Sequence, residues 1–140
     1  MKYHFRVEAD GKWFTASCIE LEGCRAQERS VDKVLVVAKE VLDAFLNEPQ
    51  GSGVVFPAPQ EKLEGKDIVA IEVDPEIAFG MLMRQYRITR KMTQAQMAAL
   101  LDMVHLTSYQ RLERRSNPTL GLIKKVHDRL PGFPLEAILS

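Results

Sequence analysis

The chain has 140 residues, 46% of them hydrophobic and 27% charged, and its 19 basic and 19 acidic side chains cancel to a formal net charge of zero. The cancellation hides an asymmetry: residues 1–74 carry 9 Lys/Arg and 14 Asp/Glu, net −5, whereas residues 75–140 carry 10 and 5, net +5. Two cysteines give no disulfide framework, the alternating N-terminus does not read as a signal peptide, and no apolar run approaches the roughly 20 residues of a membrane span, so a soluble cytoplasmic protein is expected.

The charge division points to two domains, 1–74 and 75–140. A domain of about 60 residues buries only ~60% of its unfolded surface, which predicts dimerisation or mutual packing. In the first domain, Tyr3, Phe5, Val7 and Ala9 alternate with Lys2, His4, Arg6 and Glu8, the period of a half-buried strand. Asp10-Gly11 is a hairpin signal. A two-residue loop there pairs Val7 with Phe14, Phe5 with Ala16 and Tyr3 with Cys18, and it sets Trp13 opposite Glu8 on the polar face. Trp13 then either covers the sheet edge or anchors a partner.

A turn at Glu22-Gly23 leads to a third strand, Cys24–Gln27. Ser30 caps a helix in which Val31, Val34, Leu35, Ala38, Val41, Leu42 and Phe45 recur at the spacing of one apolar face. Residues 48–66 contain Pro57 and Pro59 and read as a loop within the domain. Asp67–Val73 alternates again and returns to the sheet. The order is β-β-β-α-β.

These features resemble the HicB antitoxin family. The carriers are Tyr3–Glu8, the Asp10-Gly11 turn, Phe14–Ser17, LEGC at 21–24, Gln27, the helix at 30–46 and PAP at 57–59; Glu22 and Glu28 depart from the Pro and Gly usual in that family. The resemblance implies a partial RNase-H-like domain that binds and blocks a small basic HicA-type toxin, an mRNA-cleaving protein. Trp13, Glu8, Glu20 and Glu22 are the candidate toxin-binding residues. A net −5 surface also favours encounter with a cationic partner on general grounds, although the same charges suit a plain solvated face.

In the second domain Asp74-Pro75 opens a helix through Met81 and Tyr86. Thr93-Gln94 then offers a cap to a short helix with Met97, Ala98 and Leu101 inward, and Asp102–His105 link it to a second helical run, Leu106–Arg115, ended by Asn117-Pro118. Leu120, Ile123, Val126 and Leu130 make a further amphipathic helix, and Pro134-Leu135-Glu136 opens a last one. Two short helices across a tight turn, the second rich in donors, read as helix-turn-helix. Residues 84–129 hold ten basic side chains against Asp102, Glu113 and Asp128, the surface that phosphate neutralisation needs.

This stretch resembles the Cro/repressor-type helix-turn-helix family through TQAQMAALL at 93–101, RLE at 111–113 and NPTL at 117–120. It departs in lacking the turn glycine, at Asp102 or Met103, and in a Gln94-to-Glu113 spacing one residue long. The DNA-binding candidates are Gln94 as phosphate clamp, Thr107, Ser108, Gln110 and Arg111 toward base edges, and Arg114 and Arg115 on the backbone. Tyr109 and Leu112 belong to the core, and Glu113 orients an arginine. The resemblances together imply an antitoxin that also represses its own operon at operator DNA, as a homodimer or higher homo-oligomer.

An enzyme is not expected. Metal-dependent hydrolysis needs carboxylates converging on two cations about 3.5–4 Å apart, and Glu8, Asp10, Glu20 and Glu22 are not so spaced. Cys18, Cys24, His4, His105 and His127 show no zinc-ligand pattern, so no metal or cofactor is anticipated. The rival reading is a stand-alone transcriptional repressor with a small-ligand-sensing N-terminal domain, disfavoured because a small sheet and one helix leave little room for a pocket of ~300 Å³.

Overall fold

The alternating residues at the N-terminus form β1 (Lys2–Asp10), which pairs antiparallel with β2 (Trp13–Cys18). The pairing differs from expectation. Asp10 pairs with Trp13, so Gly11-Lys12 is the loop, and Val7 faces Ala16 while Phe5 faces Cys18. Gly11 alone takes positive φ, +60°. This is the requirement of a hairpin turn with glycine in its first central position; the anticipated Asp10-Gly11 loop would need positive φ at both residues. The partners move by two residues rather than one, so every side chain keeps its face.

Then follow β3 (Arg25–Glu28), the helix α1 (Val31–Leu46) and β4 (Ile68–Glu72), in the sheet order β3-β2-β1-β4, every pairing antiparallel. The β-β-β-α-β order is that read from the sequence. The Ser30 hydroxyl accepts from the Lys33 amide at 3.2 Å and caps α1. The helix buries Val34, Ala38, Leu42 and Leu46 and packs on β2, β3 and β4. Val31 is exposed instead of inward. Tyr3, Phe5, Ala16 and Ala26 form the covered side of the sheet. The sheet's other side carries Arg6, Glu8 and Asp10 with their partners Ser17, Thr15 and Trp13.

The structure is a computed structural model that describes residues 1–49 and 51–140. It divides into two compact units, Met1–Leu46 with Phe56–Asp74, and Asn47–Val55 with Pro75–Ser140. The boundary is therefore not at residue 74 alone. Residues 47–55, read as part of a loop of the first domain, cluster with the helical unit, where the Val54 carbonyl accepts from Arg84 Nη2 at 3.1 Å. The remainder of the loop belongs to the sheet unit: Tyr3 OH donates to the Pro57 carbonyl at 2.6 Å, and Phe56 meets Phe45 with ring centroids 5.6 Å apart.

The helical unit holds α2 (Pro75–Thr89), α3 (Gln94–Leu100), α4 (Leu106–Gln110), a single 3-10 turn (Arg111–Glu113), α5 (Leu120–Arg129) and α6 (Leu135–Leu139). Pro75 starts α2 at the one helical position where a missing N–H is harmless. Tyr86 of α2 donates to the Pro131 carbonyl at 2.9 Å, and Phe133 lies 5.9 Å from the Phe79 ring and 5.7 Å from the Tyr86 ring, which docks the C-terminal segment on α2. Thr119 caps α5 by accepting from Leu122 N at 3.1 Å. Leu120, expected inward, is 85% exposed because it occupies the first position of α5. Among the described residues no helix is long and apolar enough to cross a membrane.

Candidate nucleic-acid interface

Thr93 and Gln96 close a reciprocal cap on α3: Thr93 Oγ1 accepts from Gln96 N at 3.1 Å, and Gln96 Oε1 accepts from Thr93 N at 2.8 Å. At the other end Asp102 stands at φ +55° where a helix usually places glycine. The Met103 amide reaches the Ala98 carbonyl at 2.9 Å and the Asp102 amide the Ala99 carbonyl at 3.2 Å, so the last carbonyls are satisfied without a glycine. Arg129 forms an ion pair with the Asp102 carboxylate. His105, in extended conformation, is the N-cap of α4.

From α4 into the 3-10 turn the chain has one inward and one outward side. Tyr109 is fully buried and Leu112 nearly so, while Thr107, Ser108 and Arg111 are exposed and Gln110 half-buried. Thr107 and Ser108 lie four and three positions before Arg111 and share a face with it. The helical run, α4 and then the 3-10 turn, ends at Glu113, two residues before the expected Arg115, for two reasons. Glu113 turns inward to its partners, and Arg114, with φ −126° and ψ −173°, is extended. The backbone of Arg114 then lies against α2 so closely that a Cβ built on Gly80 would stand 2.1 Å from the Arg114 carbonyl oxygen.

The inward side is a polar network. Arg87 of α2 donates from Nε to Glu113 Oε2 at 2.6 Å and from Nη2 to Oε1 at 2.9 Å, a bidentate pair. Tyr109 OH donates to the same carboxylate, and Gln94 Nε2 donates to Oε1 at 3.2 Å. Gln110 Nε2 in turn donates to Gln94 Oε1 at 3.1 Å. Four elements are thus joined through Glu113, whose exposure is 5%. Glu113 does orient an arginine, but one from α2. The Gln94 carboxamide, expected as a phosphate clamp, is engaged within the protein as donor to Glu113 and acceptor from Gln110.

Burial opposes ionisation of Glu113, yet the hydrogen bonds from Arg87, Tyr109 and Gln94 outweigh it and hold the carboxyl below the ordinary glutamate range. A carboxyl more acidic in the folded than in the unfolded chain stabilises the fold above the unfolded pKa, about 4.3, and that stability is lost as pH falls through the folded value. The urea midpoint of the helical signal is therefore expected to drop more steeply below about pH 4.3 in the wild type than in Glu113→Gln. Parallel pH profiles for the two would remove Glu113 from this role.

Arg111, Arg114 and Arg115 line one hollow of ≈450 Å³ with Asn47 and Ser116. Arg115 Nε also pairs with Glu76 Oε2 at 3.2 Å, which fixes its direction. The predicted basic residues are in this way gathered at the exit of α4, beside the face carrying Thr107 and Ser108. Sequence reasoning missed Arg87, counted there only as charge, and Val104, which is 90% exposed just before α4.

The candidate partner-facing residues of the sheet unit do not form one patch. Glu8 and Trp13 lie toward the β1–β2 turn. Trp13 is 38% exposed, with the Arg29 guanidinium 4.8 Å from its ring centroid. Glu22 is exposed in the β2–β3 turn at the far end of β2, about 17 Å away at ~3.3 Å per residue. Glu20 leaves the set altogether. Its carboxylate accepts from the His4 amide at 2.9 Å and the Gln60 amide at 3.0 Å, and it lies 2.7 Å from His4 Nδ1 with a side-chain exposure of 1%. Burial alone would raise its pKa, and these bonds lower it below the usual value.

Residues 83–136 match the family model described as helix-turn-helix. The C-terminal unit carries a helix-turn-helix. The matched segment runs from within α2 into α6 and includes both short helices, which marks this unit as a DNA-binding module of transcription regulation. No curated protein matches the chain.

Proposed function

We propose that this chain is a HicB-type antitoxin: a cytoplasmic protein whose sheet unit binds and neutralises a small basic HicA-type mRNA-cleaving toxin, and whose helix-turn-helix represses the operon of the pair as a homodimer or higher homo-oligomer. The observation that carries the reading is the joining of an acidic β-β-β-α-β unit to a helix-turn-helix in one chain. An uncovered sheet face with Glu8, Asp10 and Trp13 at one end suits a cationic partner, since complementary charge raises encounter rates. The partial RNase-H-like description of that unit rests on the same resemblance.

On DNA, Arg111 with Thr107, Ser108 and Gln110 reads base edges, and Arg114 and Arg115 hold the phosphates. A two-fold dimer places two such faces about 34–36 Å apart. Arg111→Ala is expected to cost about 1–3 kcal/mol on the operator and to relax specificity, measured by titration against operator and random duplexes. Equal losses on both would assign Arg111 to the backbone instead.

The neutralising role is tested with the full chain as bait in its source cell. Retention of a small basic protein, whose RNA cleavage stops on binding and resumes when Glu8 and Trp13 are replaced, supports the antitoxin. If no such protein is retained and a metabolite raises the melting temperature, the chain is a ligand-sensing repressor. An open surface hollow of ≈740 Å³ at the β2–β3 turn, bordered by Ser17–Glu20 and Glu22–Arg25, is where such a metabolite would be sought.

A further inference from the structure

That same hollow is bordered by both cysteines of the chain. The pairing of β2 with β3 runs Phe14–Glu28, Thr15–Gln27, Ala16–Ala26, Ser17–Arg25. Its next step is Cys18–Cys24, and the Cys18 amide donates to the Cys24 carbonyl at 2.8 Å. Directly opposed residues of an antiparallel pair have Cα atoms roughly 4.5–5.5 Å apart and side chains on one face, within the ~4.4–6.8 Å a disulfide spans. Both residues are buried free thiols, and both border the hollow at the β2–β3 turn. We propose that Cys18 and Cys24 are an oxidative modification site, a dithiol that closes to a cross-strand disulfide with low-molecular-weight disulfides as oxidant.

The surroundings assign the two sulfurs different roles. The Cys18 thiol donates to Glu20 Oε1 at 3.8 Å; the interaction of the two thiols favours ionisation of Cys18 and disfavours that of Cys24, with burial adding to the rise at Cys24. Cys18, the more exposed of the two at 8% against 1%, attacks first, as the thiolate. It attacks one sulfur of the small disulfide, forming a mixed disulfide and releasing one small thiolate. Cys24 gives its proton to that thiolate and attacks the Cys18 sulfur, and the second small thiolate leaves and takes a proton from water. Two protein thiols and one disulfide become one protein disulfide and two small thiols, so electrons and atoms balance. The product closes the turn that carries Glu20 and Glu22, with Leu21 already anchored in the core at 2% exposure.

The test equilibrates the full chain in buffers of graded glutathione disulfide to glutathione ratio, native and in guanidinium. Acid quenching, alkylation and intact mass then follow. The expected result is a monomeric species about 2 Da lighter, mapped to Cys18–Cys24, forming at a lower disulfide fraction in the native chain than in the unfolded one. Cys18→Ser and Cys24→Ser should show no such loss, and Cys24→Ser should accumulate the stable glutathione adduct at Cys18. Thiols that stay reduced, disulfide-linked dimers, a persistent adduct in the wild type, or easier closure in guanidinium than in native buffer would each overturn the proposal.

Discussion

Glu113→Ala is expected to unfold the helix-turn-helix or bring it to the edge of unfolding. The substitution leaves Arg87 and the Tyr109 hydroxyl inside without the carboxylate that joins them. Removing one partner of a buried ion pair costs about 3–5 kcal/mol, because the remaining charge stays desolvated and unpaired. That is a large part of the ~5–15 kcal/mol by which a native protein is stable. Chemical denaturation followed by far-UV circular dichroism measures it. Glu113→Gln should lose less, since an amide still accepts from Tyr109. A loss below about 1 kcal/mol in Glu113→Ala would show that Arg87 reaches water through its 15% exposed side chain. The consequence for function is orientation: the same carboxylate holds Gln94, which holds Gln110, so operator affinity should fall in Glu113→Gln even where the fold survives.

The second large effect is expected at Gly80→Ala. In an ordinary helix this change would stabilise by about 0.8–1 kcal/mol. Here the added Cβ would lie 2.1 Å from the Arg114 carbonyl oxygen and 2.6 Å from its carbon, and backbone atoms cannot swing aside as a side-chain tip can. The chain after α4 must move away from α2, and overpacking of this severity costs about 3 kcal/mol or more. Arg114 and Arg115 move with it. Thermal melting should show the loss of stability, and titration with random duplex DNA should show weakened phosphate contact in whatever fraction remains folded. An unchanged melting temperature would mean that the crossing of Arg114 over α2 is wider than the structure gives.

Much of this was legible in the sequence, for identifiable reasons. The period of two in residues 2–9, the Ser30 and Thr93 caps, the apolar stripe of α1 and the Pro75 start of α2 are local rules, satisfied by residues within a few positions of one another. They determined the element order, the two kinds of domain and the exposed face of α4. The faces of β1 and β2 were also determined, even though the hairpin closed at Gly11-Lys12, because a shift of two residues preserves the alternation.

What the sequence left open depended on residues far apart in the chain. Glu20 looked like a surface acid beside Glu22 until the chain brought His4 and Gln60 to it. Gly80, in a helical run, carried no visible reason to be glycine, since the Arg114 backbone that demands it arrives 34 positions later. Gln94 could be assigned to phosphate by position, whereas its engagement by Glu113 and Gln110 is decided only where α3 meets α4. Local propensity and periodicity fix which elements exist and which side they bury. Which charges remain available to a partner is fixed by desolvation and by long-range pairing, and these exist only in the tertiary structure.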